Sequence, residues 1–236
     1  MGSLLYENTY KINDFININI PTVIEVLKQE DEYNSLVFIL TAMPIDMMVF
    51  LDDAGIDFAS INEYDLFLLM FEALKRQDTS LIFGSLDLSK FKETIDPENG
   101  NRVLYDFEHG IKIDRSIHYQ IANALRKINH IERNVRKPAN KEAREFMLMR
   151  ARAKMRRNKN RKNESQIEPL IVAMVNTEEY KYDFETTKDL TIYQFNECVQ
   201  QIVRKVNYNN KMTGVYTGSI SAKDLNPNEF NWLTRK

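Results

Sequence analysis

A mainly helical α+β fold is expected from three features of this 236-residue sequence. Apolar residues recur at helical spacing over most of its length. Only seven Gly and six Pro are present, too few for the many turns of an all-β sandwich or for a glycine-rich phosphate loop. One internal stretch, 81–113, switches to short apolar runs broken by turn residues, which is the pattern of a small sheet. With 43% hydrophobic and 11% aromatic residues, the chain carries enough apolar surface to fold rather than stay disordered.

The first element is expected to be a strand from Lys11 to Ile20, where Ile12, Asp14, Ile16, Ile18 and Ile20 alternate with Asn13, Phe15, Asn17 and Asn19. Pro21 ends it. Thr22 and Glu25 have capping-box spacing and open a short helix through Val23, Val26 and Leu27. Tyr33, Leu36, Val37 and Leu40 mark a second helix, and Pro44 is placed to start a third through Met47, Met48 and Leu51 that Gly55 closes. Ser60 and Glu63 repeat the capping-box spacing before a helix apolar on nearly every side, Tyr64 to Ala73, the expected central buried helix. Phe91 to Ile95 and Val103 to Phe107, separated by Asp96-Pro97-Glu98-Asn99-Gly100, predict a hairpin or three-stranded sheet.

Asp114 is a good N-cap for a helix carrying Ile117, Ile121, Ala124, Leu125 and Ile128. That helix runs into a basic belt. Between Arg126 and Lys162 fifteen Lys/Arg stand against Glu132, Glu142 and Glu145, a net charge of +12; the whole chain is −2, so the remainder is −14. Within the belt Met147, Ala151 and Met155 form only a thin apolar stripe, and the stretch from Arg156 to Asn163 has no apolar residue, which predicts a hinge or disordered loop. Pro169 is expected to start a helix through Leu170, Ile171, Met174 and Val175. Thr191 and Gln194 cap a last long helix whose stripe Phe195, Val199, Ile202 and Val206 is expected to be buried, with Phe230, Trp232 and Leu233 closing over it. Gly214 to Gly218 reads as an extended or turn segment. The expected divisions are an N-terminal α+β domain (1–125), a basic helical linker (126–164) and a helical C-terminal region (165–236).

Residue chemistry points away from catalysis. His109, His118 and His130 lack metal-ligand spacing, and Cys198 sits on an apolar stripe as an inert core thiol would. Asp52, Asp53 and Asp57 lack the progression that wraps Ca²⁺ and read as a helix end followed by a loop. Gly214 and Gly218 match neither a Walker nor a Rossmann pattern. No enzymatic activity, cofactor or metal is therefore expected. The lone Cys198 and the short apolar runs lead to the expectation of a soluble, intracellular protein.

The belt implies that something acidic meets it: another face of the same molecule, a second copy, or an outside partner such as nucleic acid. Its candidate partner-binding residues are Arg144, Met147, Arg150, Arg152, Met155, Arg156 and Arg157. Phe146 is the only aromatic within it, and no helix-turn-helix or zinc pattern surrounds it. Assembly with protein is thus preferred over nucleic acid, which stays as the alternative for 126–162.

The stretch Tyr10-Lys11-Ile12-Asn13-Asp14-Phe15 through Ile20-Pro21-Thr22-Val23, then Tyr33, Met43-Pro44-Ile45-Asp46 and Asp52-Asp53-Ala54-Gly55-Ile56-Asp57-Phe58, resembles the opening of tail proteins of siphophages that infect Gram-positive bacteria. Asp189-Leu190-Thr191-Ile192-Tyr193-Gln194-Phe195 and Gly214-Val215-Tyr216-Thr217-Gly218 through Asn231-Trp232-Leu233 resemble the ending of the same proteins. The resemblance implies a tail-assembly chaperone that coats the tape-measure protein before the tail tube polymerises. Its partners would be tape-measure and tail-tube proteins or copies of itself, in the cytoplasm of the infected host or in the virion. The chain departs from typical tail chaperones in being longer and in its basic belt, which leaves open a virion component or another morphogenesis factor.

Overall fold

Where the alternating pattern predicts one strand, the chain forms a hairpin. In the computed structural model, which describes residues 3–158 and 164–233, β1 (Thr9–Lys11) and β2 (Asn17–Asn19) pair antiparallel with Tyr10 opposite Ile18. Asn13 causes the reversal, since its side-chain oxygen accepts from the N–H groups of Phe15 (2.9 Å) and Ile16 (2.8 Å) in an Asx turn. The alternation persists in the second arm, with Ile16, Ile18 and Ile20 buried and Phe15 outside.

Helices follow. The Thr22/Glu25 capping box opens α1 (Val23–Lys28), and α2 (Glu30–Thr41) buries Tyr33, Leu36, Val37 and Leu40 as expected. The third helix, α3 (Met48–Asp53), begins later than Pro44 because the Asp46 carboxylate takes the Met43 N–H (2.9 Å) and closes a turn first. Gly55 ends it in the left-handed region, at φ 74°. Asn62, not Ser60, caps α4 (Glu63–Leu74), accepting from the Asp65 N–H (3.0 Å). One edge of α4, Leu69 and Ala73, faces solvent, so it is not buried all round.

After the short α5 (Ser80–Phe83), β3 (Lys92–Ile95), β4 (Arg102–Asp106) and β5 (Ile111–Ile113) form the expected three-stranded antiparallel sheet, with Thr94 opposite Val103 and Tyr105 opposite Lys112. Buried Asp96 and Asp106 hold its turns by accepting the N–H groups of Glu98 (3.0 Å) and Glu108 (2.9 Å). Asp114 caps α6 (Arg115–Asn129) through the Ile117 N–H (2.8 Å), and His130 ends that helix at φ 54°. The belt helix α7 (Lys141–Asn158) comes next; of the expected hinge, Arg156 to Asn158 form its last turn and 159–163 lie outside the described residues.

The C-terminal helices are α8 (Ile167–Val175), α9 (Phe184–Thr187) and α10 (Ile192–Tyr216). α8 starts two residues before Pro169, because the Glu30 carboxylate at the head of α2 accepts the N–H groups of Gln166 (2.8 Å) and Ile167 (3.2 Å). Pro169 then falls in the first turn, where no N–H is needed. α10 runs straight through Gly214, which is not a turn. Ile220 of the returning tail packs against that glycine so closely that a Cβ there would lie 2.6 Å from the Ile220 methyl.

Helices make up 53% of the described residues, against one two-stranded and one three-stranded sheet among them, so the architecture is α+β and mainly α. One main core joins β2, α1, α2, α4, the central sheet and α6 to Ile171, Met174, Tyr180, Ile192, Tyr193 and Phe195 of the C-terminal helices. Backbone stitches reinforce that union: the Val23 N–H donates to the Leu190 carbonyl (2.9 Å) and the Ile192 N–H to the Pro21 carbonyl (2.7 Å), bringing the capping residues Thr22 and Thr191 opposite each other. A satellite core is built from Ala42, Ile45, Leu51, Phe58, Leu66, Met70 and Leu148, with Met43, Met47, Met48 and Met147 packed on it.

His118 belongs to the main fold rather than to a metal site. It is buried, stacks on Phe67 at 4.2 Å, and has no hydrogen-bond partner for its Nε2 among the described residues. Burial lowers its pKa to about 4. The unfolded chain, with an ordinary imidazole, therefore takes up the proton first as pH falls. The contribution of neutral His118 is complete above about pH 6.5, declines through that value, and levels off below about 4, a total near ~3 kcal/mol. In urea titrations from pH 7 to 4.5, His118→Phe should lose about 2 kcal/mol less than the parent chain; parallel pH profiles would show that His118 does not govern acid sensitivity.

Candidate interaction surface

The belt does not act as one unit, because its first cations are consumed inside the fold. Arg126 and Glu63 are buried, with side chains only 5% and 8% exposed, and form an ion pair. Arg126 Nη2 also donates to the Thr41 carbonyl (2.6 Å), tying α6 to the end of α2. Glu63 keeps its other oxygen for Arg133 Nη2 (2.7 Å), whose guanidinium lies over the Tyr119 ring at 5.3 Å. Arg133 thereby pins the irregular segment 131–140 that leads to the belt helix. Asn140 starts that helix by accepting the Ala143 N–H (2.8 Å).

α7 rests on α3. Arg144 reaches Asp52 (3.1 Å) and Asp57 (3.1 Å), and its guanidinium covers the Phe58 ring at 5.7 Å. Eight residues on, about 12 Å along the helix, Arg152 reaches Asp52 (3.0 Å) and Asp53. Those carboxylates hold the Arg152 pKa above its ordinary value. Between the two arginines Leu148 is buried, and Met147 and Ala151 are half-buried. The inner face is therefore 144, 147, 148, 151 and 152, an amphipathic spacing. Asp52 and Asp53 sit at the C-terminal end of α3, where the helix dipole disfavours negative charge, and the two arginines offset that cost.

The outer face is different. Phe146 and Met149 are exposed there, and Met155, which continues the inner stripe one turn beyond Ala151, is 60% exposed. The reason is length: α3, with six residues, extends about 9 Å, whereas α7, with eighteen, extends about 27 Å, so its last turns have nothing to rest on. Arg150 lies over the Phe146 ring at 5.7 Å. Among the described residues no carboxylate is within ion-pair distance of Arg150, Lys154, Arg156 or Arg157. Of the seven predicted residues, then, Arg144, Met147 and Arg152 point into the molecule, and Arg150, Met155, Arg156 and Arg157 point out. Asp52, Asp53 and Asp57, which read from the sequence as a helix end followed by a loop, are also the acids that meet the belt; the available signal was that three acids in six residues need a basic counterpart.

α10 supplies a second outward surface. Phe195 is fully buried, Val199 and Ile202 are half-buried, and Val203 and Val206 are exposed. The expected closing tip does not cover this stripe. The tail returns along another side of α10, where Gln201 Nε2 donates to the Trp232 carbonyl (3.3 Å), leaving Phe230 and Leu233 exposed. An open cleft of about 830 Å³ lies between the first turns of α4 and α6 and the β3–β4 turn, where Arg102, Arg115 and Arg133 are balanced by Glu63, Asp65 and Asp114. His109 pairs with Asp106 (2.7 Å), and His130 lies 3.5 Å from Glu197. Among the described residues no three His, Cys, Asp or Glu side chains are grouped to hold a metal ion. No helix among them is long and apolar enough to cross a membrane.

Residues 158–235, about a third of the chain, are similar to the family described as the YomV second domain, a phage-derived domain. The described part of that stretch carries α8, α9, α10 and the returning tail. No curated protein and no solved structure matches the chain.

The two kinds of ion pair should respond differently to mutation. Glu63→Gln leaves Arg126 buried without a counter-charge and should cost about 3–5 kcal/mol. Arg152→Gln removes a solvent-exposed pair and should move the melting midpoint by no more than about 2 °C. Thermal melts of both variants test this, and similar losses would contradict the division into a buried and a surface network.

Proposed function

We propose that this protein, whose C-terminal third is similar to a phage-derived domain, acts in phage tail assembly as a chaperone for the tape-measure protein or as a related morphogenesis factor. It works by binding rather than by catalysis, in the cytoplasm of the infected host, and can travel into the virion. The observation that carries this reading is the exposed surface of α7, where Phe146, Met149 and Met155 stand out beside Arg150, Lys154, Arg156 and Arg157, for which no carboxylate among the described residues lies within ion-pair distance. A factor that shields long amphipathic helices must offer apolar surface while staying soluble, and charged rims around small apolar patches do both. The exposed Val203 and Val206 of α10 extend the same property to the phage-related region.

Nucleic-acid binding is the second reading, favoured by Arg150, Lys154, Arg156 and Arg157, four cations with no ion-pair partner among the described residues. Only phosphates could be contacted in that way, because Phe146 is the lone aromatic of the belt helix and already carries the Arg150 guanidinium on its face. Such binding collapses as salt rises, whereas a protein interface keeps an apolar component that salt does not screen.

The test uses a chain with Arg150→Glu, Arg156→Glu and Arg157→Glu, beside the parent. Co-expression with the tape-measure protein should recover a complex that the triple variant loses by about tenfold. Titration with random-sequence DNA and RNA should give affinity weaker than about 1 μM at physiological salt. Tight nucleic-acid binding that survives salt, with no tape-measure complex, would sink the chaperone reading and establish the second one.

A further inference from the structure

We propose that the groove beneath α7 is a docking site for a basic amphipathic helix of another protein, and that α7 is a resident helix that such a partner displaces. The inference holds whichever protein supplies the helix, so it does not depend on a role in tail assembly.

The floor of the groove is the satellite core, and half of its margin outside α7 is methionine: Met43, Met47 and Met48, beside Ile39, Ile56 and Ile61, stay half-buried even with α7 in place. Unbranched, polarisable Met side chains let a surface accommodate different helices. The rim is acidic, from Asp52, Asp53 and Asp57. α7 shows what fits there: cations eight residues apart with apolar residues between them, as in Arg144, Met147, Leu148, Ala151 and Arg152.

Yet α7 fills the groove poorly. Leu148, at the centre of its inner face, is its one buried residue, and the next turn offers only the small Ala151. A cavity of about 280 Å³ opens on the same satellite core, between Met43, Ile45, Phe58 and Ile61 and the segment 133–138 that leads to α7. The ion pairs that hold α7 lie at the surface and are partly exposed, most of all Arg152 with Asp53, and such pairs contribute little net stability. What keeps α7 seated is its covalent attachment, which gives it a high effective concentration. A partner helix with the same two cations and a larger apolar residue in place of Ala151 keeps the electrostatics, adds apolar burial, and outcompetes it.

The probe is a labelled peptide with the sequence 141–158 carrying Ala151→Leu, titrated against the full chain by fluorescence anisotropy. A host with Arg144→Glu and Arg152→Glu repels its own α7 from the acidic rim and should bind the peptide at least about tenfold more tightly than the parent does. Adding Asp52→Lys and Asp53→Lys to that host should abolish binding. The milder host with Arg144→Gln and Arg152→Gln, checked for native circular dichroism, gives the same ranking if the charge-reversed chain misfolds. Equal affinity in parent and released hosts, or binding that ignores the aspartate changes, would overturn the proposal. So would a concentration-dependent dimer that the peptide dissociates, since it would assign the groove to the α7 of a second copy.

Discussion

The buried pair Glu63–Arg126 is the constraint on which the rest of the arrangement depends. It sits where α4, α6 and the end of α2 meet, and its partners reach from Thr41 on one side to Arg133 on the other. A carboxylate and a guanidinium removed from water are tolerable only when each is well paired. Here Glu63 accepts from two arginines and Arg126 adds a backbone carbonyl. The consequence is positional. The main core lies on one side of this junction, the methionine-rich satellite core on the other, and the chain leaving α6 is directed by Arg133 across the mouth of the satellite before it becomes the belt helix.

From that junction the charge segregation acquires a physical order. Arg126 and Arg133 meet Glu63, Arg144 and Arg152 are matched by acids at and after the end of α3, and among the described residues no carboxylate is within ion-pair distance of Arg150, Lys154, Arg156 or Arg157. The pairs that tie the belt to the fold thus range from a buried network at α6 to partly exposed pairs along α7. A helix held this lightly can keep a water-exposed cationic face for a partner and still cover an apolar surface that would otherwise invite aggregation. The C-terminal region has the opposite character. It is joined to the N-terminal elements by backbone hydrogen bonds and by a shared core, and it carries the similarity to the phage-derived domain.

Where local rules sufficed, the fold was legible in the sequence. The capping boxes at Thr22 and Thr191, the Asp114 cap, the spacing of Tyr33 to Leu40 and the turn-broken run 81–113 each translated into the element they predict. Errors arose where a side chain reached across the pattern. Asn13 folded a strand into a hairpin, Asp46 delayed a helix, and Glu30 from α2 lengthened the start of α8. Gly214 read as a break but serves as a contact point for Ile220, a role set by a tail that returns only in three dimensions. For the candidate surface, the belt was visible as composition, but which of its residues face inward depended on the short span of α3, and the matching Asp52, Asp53 and Asp57 lie about ninety residues earlier.

The central claim is that α7 is a lightly held arm on a firmly built body, and amide hydrogen exchange measures that difference directly. The account predicts that α7 amides are at least about 100-fold less protected than those of α4 and α6. Raising salt from about 0.05 M to about 1 M should lower α7 protection further and leave α4 and α6 unchanged, because only the α7 contacts are screened. Protection of α7 equal to that of α6 and indifferent to salt would contradict the account.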